Sequence, residues 1–167
     1  MIETDIDTEI MKKICLAALL MVSMMTKAQS IGKVQFGTPL SEAKTEITAQ
    51  MGAPSKATGQ ELCYTNKVFE GFKWSEIHFF FKDGKLNEAR FYMNVKNKAV
   101  AKAQAKNVSK VLGKDNVMTE DYEDDGTPFY AGGKSPDGFG HLFTIFVSPR
   151  AGRWTTQLRY GPFELKH

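Results

Sequence analysis

Residues 74–94, WSEIHFFFKDGKLNEARFYMN, alternate apolar and polar side chains on both sides of Lys82-Asp83-Gly84. Alternation with a period of two around such a turn signal predicts a β-hairpin. Two registers compete. A two-residue Asp83-Gly84 turn pairs Lys82 with Lys85, Phe79 with Glu88 and Ile77 with Arg90, which mixes apolar and charged residues on each face. A type I turn with Gly84 in a G1 bulge pairs Phe81 with Lys85 instead. Ile77, Phe79, Phe81, Ala89, Phe91 and Met93 then share one face, with Glu76 opposite Arg90 and His78 opposite Glu88 on the other. The second register separates the faces and matches the charges, so it is the one expected.

The rest of the chain has two helical patterns. Leu40, Ala43, Ile47 and Met51 recur every three or four residues, after Thr38 as the expected cap with Pro39 at the first helical position. Gly52 and Pro54 stop that helix. Ala101, Ala105, Val108 and Leu112 form a second stripe between a cap at Asn97 and a stop at Gly113. Strands are predicted over 31–36, 61–65, around Val117 and Met118, over 127–131, 141–148 and 153–160. Residues 68–73 read as a turn or extended link. In 61–65, Leu62 and Tyr64 face one way and Cys63 the other; in 153–160, Trp154, Thr156, Leu158 and Tyr160 face away from Thr155, Gln157 and Arg159.

A helix, an extended piece and a strong hairpin thus occur twice, over 38–94 and 97–160. The order fits a duplicated helix–meander unit and fits a plain α+β arrangement equally well. Short turns between strands imply a largely antiparallel sheet. The expected fold is α+β, with two helices on one face of that sheet and the opposite face free to bind.

Composition adds the setting. Of 167 residues, 42% are hydrophobic and 25% charged, as in ordinary globular proteins. Met11-Lys12-Lys13, an apolar run over 14–25 and Thr26-Lys27-Ala28 follow the three-part order of a secretory signal peptide. Glu3, Asp5, Asp7 and Glu9 oppose a positive leader start, so Met11 is the expected true start and residues 1–28 a mis-called start plus cleaved signal. Residues 29–167 are expected to form one soluble, exported, periplasmic domain. Cys15 lies at the beginning of the apolar run, where no lipid would be attached. Three of the 22 basic and four of the 19 acidic residues fall in the leader, so the remainder is mildly basic. That is insufficient for a nucleic-acid partner. One cysteine, Cys63, remains, so no internal disulfide is expected.

Candidate chemistry gathers in two places. Phe80, Arg90, Tyr92, His78 and Glu88, with Glu76, lie on the outer hairpin face, where aromatic and arginine side chains suit a partner-binding role. Lys98, Lys102, Lys106 and Lys110 recur at every fourth position of the second helix. Such a ridge could meet an anionic membrane surface or could be a solvated helix face beside the acidic cluster over 120–125. Cys63, His78, His141 and His167 have no metal-ligand spacing, and no metal or cofactor is expected. Gly132-Gly133-Lys134-Ser135 is no phosphate loop, because Pro128 stands where the upstream Gly belongs and Pro136 interrupts the helix that should follow.

The run FGTPLSEAKTEITAQMGAPSKATGQELCY, followed by FFFKDGKLNEARFY, resembles small cell-envelope α+β proteins of the SmpA/OmlA and β-lactamase-inhibitor-protein type. The Lys27-Ala28-Gln29 leader end and the Tyr160-Gly161-Pro162-Phe163 tail are similar to those of secreted proteins of Bacteroidetes-type bacteria. The resemblance implies a non-enzymatic role in binding other envelope proteins. The lipid-attachment cysteine of those proteins is missing here. The expected function is therefore periplasmic binding without catalysis. The alternatives are a small hydrolase with its site in the 132–140 loop, or a membrane-surface binder using the lysine-rich helix.

Overall fold

A computed structural model describes residues 30–165. The leader and the expected cleavage after Ala28 lie outside the described residues. The described residues open with a small two-stranded arm, β1 (Ser30–Ile31) and β2 (Val34–Gln35), in place of the one strand expected over 31–36. Gly32, at φ 58°, folds the segment back on itself and lets Ile31, Val34 and Phe36 all reach the core.

Helix α1 (Leu40–Met51) buries Ala43, Ile47 and Met51. Thr38 does not cap it. Extended Pro39 precedes the helix without a side-chain cap. The hairpin supplies what a cap would supply. The Leu40 N–H donates to the Gly84 carbonyl (2.8 Å), the Gly37 N–H donates to Leu86 O (2.8 Å), and Leu86 N–H donates to Thr38 O (2.9 Å). The first turn of a helix leaves N–H groups unpaired, and here a distant turn satisfies one of them. Helix α2 (Lys98–Leu112) starts as expected, with Asn97 Oδ1 accepting from the Val100 N–H at 2.9 Å.

Each helix is followed by a four-stranded meander. The first is β3 (Lys56–Ala57), β4 (Glu61–Phe69), β5 (Phe72–Lys82) and β6 (Lys85–Val95). The second is β7 (Met118–Tyr122), β8 (Pro128–Gly132), β9 (Phe143–Arg150) and β10 (Arg153–Tyr160). The last strands of the two meanders pair with each other. The result is one eight-stranded antiparallel sheet in the order β3-β4-β5-β6-β10-β9-β8-β7. The connectivity of helix and meander is the same in both halves, and the β6–β10 seam lies between them. Of the two readings of residues 68–73, the turn holds: they form the tight end of the β4–β5 hairpin, with Glu70 at φ 50° and Gly71 at φ 77°.

The central hairpin departs from the expected register. Its turn is the two-residue one, with Lys82 opposite Lys85, Asp83 at φ 52° and Gly84 at φ 75°. A bulge then follows on β6. Phe81 faces Leu86 but Phe80 faces Glu88, leaving Asn87 as the extra residue. The bulge repairs the alternation that the short turn would break. Ile77, Phe79, Phe81, Ala89, Phe91 and Met93 are all buried on the helix-covered side, as expected. The cross-strand partners change: Glu76 lies opposite Tyr92 and His78 opposite Arg90.

Asn87 also fastens the tail. Its side-chain amide donates to Phe163 O, and its carbonyl accepts from the Phe163 N–H at 3.2 Å. Phe163 then packs edge-on against Phe36, with ring centroids 4.6 Å apart. Gly161 makes this possible at φ 72°, and a Cβ there would stand 2.6 Å from the Asn87 carbonyl oxygen. Gly161→Ala is expected to cost about 1–3 kcal/mol through backbone strain and loss of the tail contact. A lowered midpoint in urea unfolding checks this; an unchanged midpoint would mean the tail contributes nothing.

Candidate interaction face

Both helices cover one side of the sheet, where Leu62, Tyr64, Ile77, Phe79, Phe91, Leu158, Ile145 and Phe143 are buried. The opposite side carries no helix. Alternation places Cys63, Glu76, His78, Phe80, Glu88, Arg90, Tyr92, Gln157, Arg159, Phe146 and Arg150 there. Much of this bare side is nonetheless half-buried, because its residues pack on one another.

Two linked clusters fill it. In the first, His78 stands between two carboxylates. Its Nδ1 is 2.7 Å from Glu61 Oε1 and its Nε2 is 3.2 Å from Glu76 Oε2. Both nitrogens can donate only when the ring carries two protons. Arg150, from β9, grips Glu76 with two hydrogen bonds of 2.8 and 2.9 Å and lies over the Tyr92 ring at 4.0 Å. The Arg150 hydrogen bonds hold the Glu76 carboxyl below its usual range, with partial burial opposing and His78 assisting. In the second cluster, Glu88 is nearly buried and accepts from Arg90 Nε (2.6 Å), Arg90 Nη2 (2.9 Å) and Arg159 Nε (2.7 Å). The Arg90 guanidinium lies 4.8 Å from the Phe80 ring centroid, and the Phe80 ring stacks parallel to His78.

The five residues expected on this face, Phe80, Arg90, Tyr92, His78 and Glu88, are therefore brought together. Glu61, Arg150 and Arg159 complete the clusters and are not singled out by sequence. The outward phase of Arg159 is readable from the 153–160 alternation. Its position beside Arg90 comes from the β6–β10 pairing, which no local signal carries.

Stability should reflect the Glu76–Arg150 contact. Above the ordinary carboxyl range the charge exists in folded and unfolded chains, and the contribution is complete. As pH falls from that range through the lowered folded value, the unfolded chain takes up its proton first, and the contribution is lost. The acid-induced drop in thermal midpoint between about pH 5 and pH 3 is expected to be smaller in Glu76→Gln than in the parent. Equal drops would mean that this contact does not contribute.

Cys63 lies on the same face, with its Sγ 4.0 Å from His78 Nε2. His78 thus contacts Cys63 and Glu76 through one ring nitrogen and Glu61 through the other. Burial, then Glu61 and Glu76, raises the thiol above its ordinary value, which is opposite to the activation a nucleophilic thiol requires.

The lysines of α2 are not one free ridge. Lys98 pairs with Asp125 and sits 5.1 Å from the Trp154 ring centroid, and Lys102 donates to the Gly126 carbonyl at 3.3 Å. Lys98 and Thr127 together lower the Asp125 carboxyl to about 2. Half of the row therefore fastens α2 to the β7–β8 turn, and Lys106 and Lys110 are left exposed. In the 132–140 loop, the Ser135 hydroxyl donates to Asp137, and Asp137 accepts from the N–H groups of Phe139 (3.0 Å) and Glu164 (3.1 Å). A cleft of about 450 Å³ lies between this loop, the β5–β6 turn and the tail; Lys82, Lys85, Asp137, Phe139 and Glu164 are among its lining residues.

Among the described residues, no group of three or more His, Cys, Asp or Glu is arranged to hold a metal ion. No described helix is long and apolar enough to cross a membrane. No protein-family model, curated protein or solved structure matches the chain.

Proposed function

We propose that this chain is an exported binding protein without catalytic activity, which engages a protein of the cell envelope through the bare side of its sheet. The observation that carries the reading is the character of that side. It is uncovered, yet it is paved with half-buried aromatic and arginine side chains held rigid by Glu76 and Glu88. Interfaces draw their energy from such residues, and rigid ones lose little entropy on binding. The leader read from the sequence supports export. The resemblance to envelope-binding proteins supports the class of partner.

The competing chemistries have weaker support. Asp137 and Ser135 are taken up in shaping the 132–140 loop, and burial with Glu61 and Glu76 raises the Cys63 thiol above its ordinary value. Lys98 and Lys102 are committed to the β7–β8 turn, which leaves a short basic patch for a membrane surface.

Site-specific photo-crosslinking in the native compartment tests the reading. A benzoylphenylalanine at position 80 is expected to trap a partner, and one at position 45 on α1 to trap none. The adduct at position 80 should be lost when Tyr92→Ala or Arg90→Ala is added. Adducts arising only from the helix side would sink the proposal.

A further inference from the structure

We propose that Arg90 and Arg159, tethered by Glu88, form a receptor for a single carboxylate side chain that a partner protein presents at the centre of the open face. This inference rests on the reading of that face as a binding surface. Arg90 and Arg159 are direct partners across the β6–β10 seam, in the middle of the sheet. Like charges placed directly opposite one another destabilise a sheet. Folding alone gives no reason to put two arginines there.

Glu88 makes the arrangement tolerable without cancelling it. Its side chain is 7% exposed, against 36% and 38% for Arg90 and Arg159, so the anion lies beneath and the guanidiniums above. Its Oε1 accepts from both Nε atoms, which ties the two guanidinium groups to one carboxylate oxygen. A guanidinium carries five N–H donors. Arg90 gives two to Glu88 and is also engaged by Tyr92, and Arg159 gives one to Glu88, so most of the donors of the pair remain for a ligand. Two cations on one carboxylate also leave one positive charge over. Among the described residues no other carboxylate is bonded to these two arginines: Glu76 hydrogen-bonds with Arg150 and His78, and Glu61 with His78. Across the neighbouring strands Arg90 faces His78 and Arg159 faces Thr144, neither of them acidic.

The ligand class follows from this charge and shape. An excess of one charge matches a monoanion, and planar forks match a carboxylate held by paired N–H bonds. The site sits on an open sheet without walls, so a small free ion would be held weakly in water. A carboxylate that arrives on a protein brings apolar surface to bury against Phe80 beside Arg90, and excluding water strengthens the ion pair.

The test is an NMR titration of the full chain, reading the Nε–H resonances of Arg90 and Arg159. The probes are the capped tripeptide Phe-Glu-Phe, its Phe-Gln-Phe counterpart and inorganic phosphate. The Glu peptide is expected to shift both resonances and to bind about tenfold more tightly than the Gln peptide, an advantage that shrinks with added salt. Arg159→Gln should reduce that ratio to within about twofold while the thermal midpoint stays close to the parent's. Arg159→Lys provides the same comparison if the first variant unfolds, because lysine keeps the charge but not the fork. Equal binding of the two peptides to this face would overturn the carboxylate receptor and leave the binding-face reading standing. No shift on the face with any probe would overturn the receptor and weaken that reading with it. Phosphate shifting both resonances at lower concentration than the Glu peptide would overturn it in favour of a phosphate group. Self-association lost on neutralising the acidic residues over 120–125 would overturn it in favour of a second copy.

Discussion

Phe91→Ala is expected to destabilise the domain by about 3–5 kcal/mol, a larger loss than either Gly161→Ala or Glu88→Gln should cause. Phe91 is fully buried on β6, one of the two central strands of the sheet. Its ring centroid lies 5.1 Å from Phe69, 5.2 Å from Trp74, and 6.1 Å from both Phe79 and Tyr160. Those rings come from β4, β5 and β10, and Leu158 is its direct partner across the seam. Removing the ring therefore leaves a cavity that four separate rings would have to move to fill. Rings edge-on to one another are held at set angles, so collapse should be incomplete and the cavity cost should be felt in full. Urea unfolding of parent and variant, compared at equal m-value, measures the loss. A loss below about 1 kcal/mol would mean that the two halves do not share one core.

That prediction draws on a part of the fold the sequence shows well. The apolar face of the 74–94 hairpin follows from alternation alone, and the six residues expected there are buried. Helix α2 is legible because its cap is local: Asn97 bonds to Val100, three residues away. Thr38 misleads for the opposite reason. The groups that close the start of α1 belong to Gly84 and Leu86, and no propensity at Thr38 can report a hydrogen bond to a residue so far along the chain. The hairpin register fails in an instructive way. Both registers that alternation suggests keep β6 regular beyond the turn, whereas the chain takes the short turn and corrects its phase at Asn87. That residue has a second task, fastening Phe163, which the hairpin sequence by itself does not announce.

The open face divides along the same line. Glu76, His78, Phe80, Glu88, Arg90 and Tyr92 lie within one hairpin, so their common face can be read directly. Arg150 and Arg159 reach it from the other half of the molecule. Only the β6–β10 seam shows that Glu76 and Glu88, each well placed to pair within the hairpin, are completed by arginines of the second meander.

The charge at that seam sets the second large effect. Glu88→Gln is expected to cost about 1–3 kcal/mol, although its shape is nearly unchanged. The substitution leaves Arg90 and Arg159 opposite each other with no anion between them, and an amide N–H₂ can point at a guanidinium. The arginines are more than a third exposed, so water screens the repulsion and the upper end of the range is not expected. Salt should matter more than in the parent, because added anions can take the place of the lost carboxylate. Urea midpoints at low and high sodium chloride measure both quantities. The decisive comparison is the double variant Glu88→Gln with Arg159→Gln. Removing one of the two cations relieves the repulsion that the first change creates, so the pair should cost less than the sum of the single changes by about 0.5–3 kcal/mol. Additive costs would show that Glu88 contributes by packing alone, and that the two arginines do not feel each other across the seam.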